Sequence, residues 1–470
     1  MKPLVFAAAA LWLTAIAGPG LAAPFDSASD AFAPCADAAR DPALSGSLCA
    51  RFQAPLSPSD PDLGDARLFV RQFPAQGPSR GQVWLIAGGP GESGASFYPL
   101  LKPLRAAFPG YDLMIPDHRG TGFSTRLCPT EESPEGPGGM ALSGAEWSTC
   151  FSALTAPRAK AFTITHAAGD LRALMDRYGG DRPTILYGVS YGTQLVLRTL
   201  AVAPPRRVDG VILDSLVPPD DTTTLDLSHR SAAVDAVGRQ VLARCDADRA
   251  CRTRLGGSAA AAMQAVVDEP RLAALVPGGK PKLFFGALLD HPAQRAQIPA
   301  ILAALRAGDP APTLKAKAEL EAFAGDFMRF EQSSMSIPLV SLISASENNA
   351  RPGLTKAQVD AEAAGLLFTS SLPGQLIGGA SNAYPRDSGF AKAPVKLPPV
   401  LVLQGDLDPK TPLAGAQAQI ARLKPSGRVG LTIVKGGPHF LLLTAPDCFV
   451  ASAKAFVATK RAVRGTCSLE

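Results

Sequence analysis

A serine framed by glycines, Gly188-Val189-Ser190-Tyr191-Gly192, is followed far downstream by Asp406 and Asp408 and then by His439. A hydroxyl becomes a competent nucleophile when an imidazole takes its proton and a carboxylate orients that imidazole. These residues supply each part in the order Ser, Asp, His. The apolar run 184–187 leads into the serine, and a helical stretch, 193–203, leads away from it until Pro204-Pro205 stops it. A strand, a sharp turn and a helix are what a nucleophile elbow needs. The glycines leave room for the close crossing, and the helix N-terminus favours negative charge developing at Ser190. His439 is the only one of the five histidines that follows the two acids. Asp408 is assigned as the acid and His439 as the base; Asp406 sits where an Asx-type turn would use it.

Acyl transfer also needs donors for a tetrahedral oxyanion. The residue after the nucleophile, Tyr191, offers one backbone N–H, and the glycine-rich loop Gly88-Gly89-Pro90-Gly91-Glu92-Ser93-Gly94 offers a second at Gly89. Glycine permits that close approach of backbone to substrate. Gly89, Gly91 and Gly94, with Asp117 about 20 residues on, also outline a dinucleotide fingerprint. Pro90 inside the turn and the poor helix start at 95–99 argue against it, and it leaves Ser190, Asp408 and His439 unexplained. The segment Asp117-His118-Arg119-Gly120-Thr121-Gly122 reads as a hydrogen-bonded loop supporting the glycine turn.

These residues need strand ends to hold them. Short apolar runs at 82–87, 112–116, 184–187, 208–213, 400–404 and 429–434 read as buried parallel strands. Between the second and third, Leu171, Leu174, Met175 and Tyr178 recur at helical spacing, with Gly179 as a stop. Alternating strand and helix predicts an α/β chain, a mostly parallel sheet flanked by helices, with ligands at the carboxyl ends of the strands. From 219 to 394 helical patterns dominate, including Val234, Val237, Val241 and Cys245, and the stretches 284–305 and 314–330. We read this as an inserted, mostly helical cap between a first core part, 23–218, and a second, 395–470. The stretch 129–144 reads as a surface loop.

Bulk properties narrow the class. The 470 residues are 46% hydrophobic and 19% charged, with a formal charge of +5; no basic stripe points to nucleic acid. Lys2, the apolar stretch from Leu4 to Ala17 and the small residues Ala22 and Ala23 form an export-signal pattern, with residues 1–22 removed. The mature chain is then expected in a periplasmic or extracellular space, with no stable membrane association. Eight cysteines suit an oxidising compartment. They fall into sequence-local pairs: Cys35 with Cys49, Cys128 with Cys150, Cys245 with Cys251, and Cys448 with Cys467. Sequential pairing is one of 105 connectivities. No Cys-x-x-Cys and no His at ligand spacing points to a metal.

Taken together, Gly88-Gly89-Pro90-Gly91, the loop from Asp117 to Gly122, the Ser190 pentapeptide, Gly405-Asp406-Leu407-Asp408-Pro409-Lys410-Thr411-Pro412 and Pro438-His439 resemble the proline iminopeptidase and tripeptidyl aminopeptidase family of α/β-hydrolases. The resemblance runs over most of the chain after the signal. It departs at Ala87, where that family usually has His. It implies the α/β-hydrolase fold, favours Asp408 over Asp406, and implies an exopeptidase that needs no cofactor or metal and releases residues from the free N-termini of small peptides. An exported carboxylesterase or lipase using the same three residues is the alternative. The cluster Ser344-Ala345-Ser346-Glu347-Asn348-Asn349 resembles an acidic cap motif of that family, which implies that Glu347 binds the substrate ammonium; Glu92 is a second candidate. Oligomeric state is not legible in the sequence.

Overall fold

The computed structural model describes residues 30–133, 146–379, 382–462 and 464–469. The expected signal at 1–22 and residues 134–144 of the expected surface loop lie outside the described residues. Ten strands form one sheet: β1 (Ala33–Pro34), β2 (Leu48–Pro55), β3 (Asp65–Phe73), β4 (Gln82–Ile86), β5 (Asp112–Asp117), β6 (Thr184–Val189), β7 (Gly210–Asp214), β8 (Val400–Gly405), β9 (Val429–Lys435) and β10 (Gly465–Ser468). Their order is β1-β2-β3-β5-β4-β6-β7-β8-β9-β10. Pairing is antiparallel from β1 to β5 and parallel from there to β10.

The six apolar runs expected to be strands form β4 to β9. β4 to β8 are buried along their whole length, as strands covered on both faces must be. Their side chains alternate between two cores. Val83 and Leu85 join Ile115, Tyr187 and Leu403 on one face, while Trp84 and Ile86 join Met114, Leu186 and Val402 on the other. The helix Ile164–Tyr178 carries Leu171, Leu174 and Met175 into the second of these cores.

The chain leaves the sheet after Asp214 and returns at Val400; the region between is helical. Val234, Met263, Phe285, Ile298 and Leu302 form its own apolar cluster, and Leu407, between the two candidate acids, inserts into it. The stretch expected as one helix at 284–305 is two, Pro281–Leu288 and Pro292–Arg306; a proline opens the second, where its missing N–H costs least. The helix Ile337–Glu347 differs from its neighbours. Its Leu339, Leu342 and Ile343 pack into the sheet-side core with Tyr191 and Leu197.

All four expected cysteine pairs are disulfides, with Cα atoms 5.0, 5.6, 5.3 and 5.8 Å apart in chain order. Among the described residues no helix is long and apolar enough to cross a membrane.

Candidate active site

Ser190 ends β6 and opens the helix Tyr191–Val202 with φ 54° and ψ −126°. A non-glycine residue with positive φ is strained, and the crossing that imposes it leaves no room beside it. A Cβ on Gly188 would lie 2.5 Å from Gly192 O, and one on Gly192 would lie 2.3 Å from Ile86 O. Ser190 N donates to Asp214 O at 3.0 Å, and its carbonyl accepts from Thr193 N at 2.8 Å and Thr193 Oγ1 at 2.6 Å. The turn is therefore held from both sides.

Asp408 and His439 follow β8 and β9 and meet. His439 Nδ1 lies 2.9 Å from Asp408 Oδ2 and 3.1 Å from Oδ1. Lys410 N and Thr411 N each donate to Oδ1 at 2.8 Å, and Thr411 Oγ1 donates to Oδ2 at 2.7 Å. Burial alone would raise the carboxyl pKa of Asp408; His439 and these donors outweigh it and hold the acid below the usual carboxylate range. Asp406 turns away from the imidazole. Its Oδ1 accepts from Gly436 N at 2.7 Å, and its Oδ2 lies 3.4 Å from Arg244 Nη2.

Two residues the sequence reading missed hold the histidine loop. Asp214, at the end of β7, accepts from Leu441 N and Leu442 N at 2.9 Å each, and Ser215 Oγ accepts from Phe440 N at 2.8 Å. Phe440 itself has φ 58°, so the turn after His439 is pinned through three successive amides. The signal was present as an acid and a hydroxyl closing a buried apolar strand, but nothing local says which distant loop they serve.

Gly89 has φ 107°, and a Cβ there would meet Gly91 N at 2.2 Å. Asp117 ties this loop to its neighbour: Gly94 N donates to Oδ1 at 2.7 Å and Phe123 N to Oδ2 at 2.8 Å. Arg119 clamps the second loop to Asp170 with two bonds of 2.6 Å, the bidentate geometry that guanidinium and carboxylate favour. Glu92 reaches back under the glycines; a Cβ on Gly88 would lie 3.2 Å from both Glu92 Oε2 and Ser190 Cβ. Burial raises the pKa of Glu92, while Lys410 and His439 pull it down.

Glu347 is placed differently from what the resemblance implied. It is 2% exposed. Its Oε2 is 2.7 Å from Arg198 Nη2, and its Oε1 accepts from Tyr384 Oη at 2.8 Å. Both oxygens are thus occupied by the chain's own donors. The cause is the docking of Ile337–Glu347 on the sheet-side core, which brings its end against the elbow helix carrying Arg198.

A narrow cavity of about 70 Å³ opens beside Ser190, bordered by Gly89, Tyr191, Gln194, Asp220, Asp226, Arg230, Asn348, Lys410 and Thr411. Glu347 does not line it. Among the described residues no cluster of three or more His, Cys, Asp or Glu is arranged for a metal ion.

Residues 83–254 match the protein-family model described as alpha/beta hydrolase fold, and the architecture is that of an α/β-hydrolase: a mostly parallel sheet flanked by helices, with a helical region following β7. The chain is 30% identical over 213 residues to the serine protease Hip1 of Mycobacterium tuberculosis and to that of Mycobacterium bovis, a match covering 41% of this chain and 40% of theirs. Similar solved structures include a bromoperoxidase from Bacillus anthracis (16% identity, 87% of this chain and 100% of that one, TM-score 0.38). The esterase RhEst1 from Rhodococcus is another (15% identity, 84% and 95%, TM-score 0.39).

Proposed function

We propose that this protein is an exported serine hydrolase that releases residues from the N-termini of small peptides. The observation that carries the reading is the buried Asp408–His439 pair, 2.9 Å apart, on strand-end loops of the sheet whose β6 ends in the strained Ser190. In this mechanism His439 keeps its Nδ1–H on Asp408, which leaves the Nε2 lone pair to take the Ser190 proton. Ser190 Oγ then attacks the scissile carbonyl. The N–H groups of Tyr191 and Gly89 receive the oxyanion. Collapse expels the amine, protonated by His439, and leaves an acyl-enzyme. Water activated by the same histidine hydrolyses that ester and restores Ser190.

An enzyme that counts from a free N-terminus needs a carboxylate for the ammonium. Glu347 is already neutralised by Arg198, so Glu92, beside Ser190 and within the field of His439, is the better-supported partner. The four disulfides support an oxidising compartment. A fluorophosphonate label should map to Ser190, and free-amine peptide anilides should be cleaved faster than their N-acetyl forms. Labelling with hydrolysis of simple esters but of no peptide would move the assignment to a carboxylesterase. Absence of label would end the serine mechanism.

A further inference from the structure

The cavity beside Ser190 is lined by charges of both signs, and most of them are already spent. Asp220 accepts from Gln194 Nε2 at 3.0 Å, Arg198 Nη2 at 2.9 Å and Ala391 N at 3.2 Å. Asp226 accepts from Ser228 Oγ at 2.6 Å, Ser228 N at 3.0 Å and Ala350 N at 2.8 Å, and lies 2.5 Å from His229 Nδ1. Lys410 is paired with Asp290 at 3.0 Å. Arg230 is the exception. It borders the cavity and is partly buried. Among the described residues it makes no side-chain hydrogen bond, and no carboxylate comes within 4.0 Å of it. The fields of Asp408, Asp290 and Asp226 reach it, but none of them touches its N–H groups.

A guanidinium carries five donors in a planar fork matched to a carboxylate. Among the described residues none of its N–H groups is both buried and unpartnered, so the fork faces the cavity's water. An anion that displaces this water can take it without competing with a protein carboxylate. Asp408 and Asp226 do not serve, because their oxygens already accept from backbone and side-chain donors. Asp290 gives Oδ2 to Lys410, and its Oδ1 has no partner among the described residues but stays out of reach of Arg230. What fits is an anion that arrives with the substrate. Arg230 also opens the helix Arg230–Ala247, whose N-terminal partial charge favours an anion on that side.

We propose that this cavity seats a carboxylate of the substrate against Arg230, so that the enzyme selects acidic peptide substrates; this rests on the serine-hydrolase reading. The carboxylate has two sources, the side chain of the residue whose carbonyl is attacked or the free C-terminus of a short leaving peptide.

Matched substrate pairs separate them. The first pair is a Glu and a Gln anilide; the second is one short peptide with a free and with an amidated C-terminus. In the wild type one of the two acid-to-neutral ratios of kcat/KM should be about 10- to 100-fold, the range of a charge-assisted bond. In Arg230→Gln that ratio should fall to near one, and in Arg230→Lys it should take an intermediate value, because the charge remains and the fork is lost. Wild-type ratios near one for both pairs overturn the proposal, as does a large ratio that survives Arg230→Gln. If Arg230→Gln does not fold, the wild-type and Arg230→Lys ratios decide. Failure of the underlying reading looks different: Ser190 takes up no fluorophosphonate and no pair is hydrolysed.

Discussion

Two buried carboxylates, on the β8 loop and at the end of the helix Ile337–Glu347, have the same chemistry and opposite surroundings. Asp408 is 1% exposed and Glu347 is 2% exposed. Asp408 is surrounded by neutral donors, Thr411 Oγ1 and two backbone N–H groups, and the one titratable group touching it is His439. Its negative charge is left for the imidazole. Glu347 faces Arg198, a permanent cation, and Tyr384. Its charge is cancelled inside the scaffold, joining the elbow helix to the helical region. Burial alone therefore does not mark a functional acid; the kind of partner decides whether the charge acts on a substrate or on the fold.

The largest test of that contrast is activity. Ser190→Ala and His439→Ala should each lower kcat by about six orders of magnitude, and Asp408→Asn by about four, with losses that do not add. Glu347→Gln and Asp406→Asn should remain within about tenfold of wild type, since neither is asked for more than an ordinary positioning contact. A near wild-type Asp408→Asn beside a dead Asp406→Asn would reverse the acid assignment. A dead but fully folded Glu347→Gln would break the comparison.

Stability should show the reverse ranking. Removing Glu347 leaves Arg198 with Asp220 as its close carboxylate and takes the acceptor from Tyr384 Oη, so Glu347→Ala should cost about 3 kcal/mol in urea unfolding. Replacing Arg198 together with Glu347 should not recover that loss, because Asp220 then loses its cation. If Glu347→Ala unfolds at the wild-type urea midpoint, the cluster does not hold these elements together.

A buried base without a carboxylate partner gives the smallest effect. His118 is buried, with its Nδ1 2.9 Å from Arg119 O. Burial pushes its pKa down to about 4 from its ordinary value of 6.5. The unfolded chain therefore binds a proton between those values that the folded chain refuses, and stability falls as pH drops through this window. The contribution is roughly 3 kcal/mol at most. Guanidinium unfolding at pH 7 and pH 4.5 should give a smaller pH difference for His118→Gln than for the wild type. Parallel pH curves would mean that His118 is protonated in the folded state.

Much of this was readable before folding. The buried runs of Val, Leu and Ile, the glycines around Ser190 and the order Ser, Asp, His all depend on local chemistry: apolar periodicity, the absence of a Cβ, and a chain that must turn at a strand end. β2 and β3 escaped because three arginines, Arg51, Arg67 and Arg71, interrupt their apolar residues and leave no long apolar run. β10, Gly465–Ser468, has no apolar pattern at all; it pairs with β9 and is tied through Cys467 to Cys448. The serine elbow and the sequence-local pairing of the cysteines could be written from sequence because each element carries its own signal.

The sequence by itself determined the strand ends and the residue types delivered to them. Only the tertiary structure decided which carboxylate is free. Glu347 sits in an ion pair because Leu339, Leu342 and Ile343 bury against the sheet-side core and carry it 2.7 Å from Arg198, 149 residues away. Asp214 and Ser215 gained a role because β7 lies beside β8 and meets the turn after His439. Such pairings join segments far apart in the chain. No local propensity encodes them, since they exist only once several elements have packed and removed the water that would otherwise satisfy each charge separately.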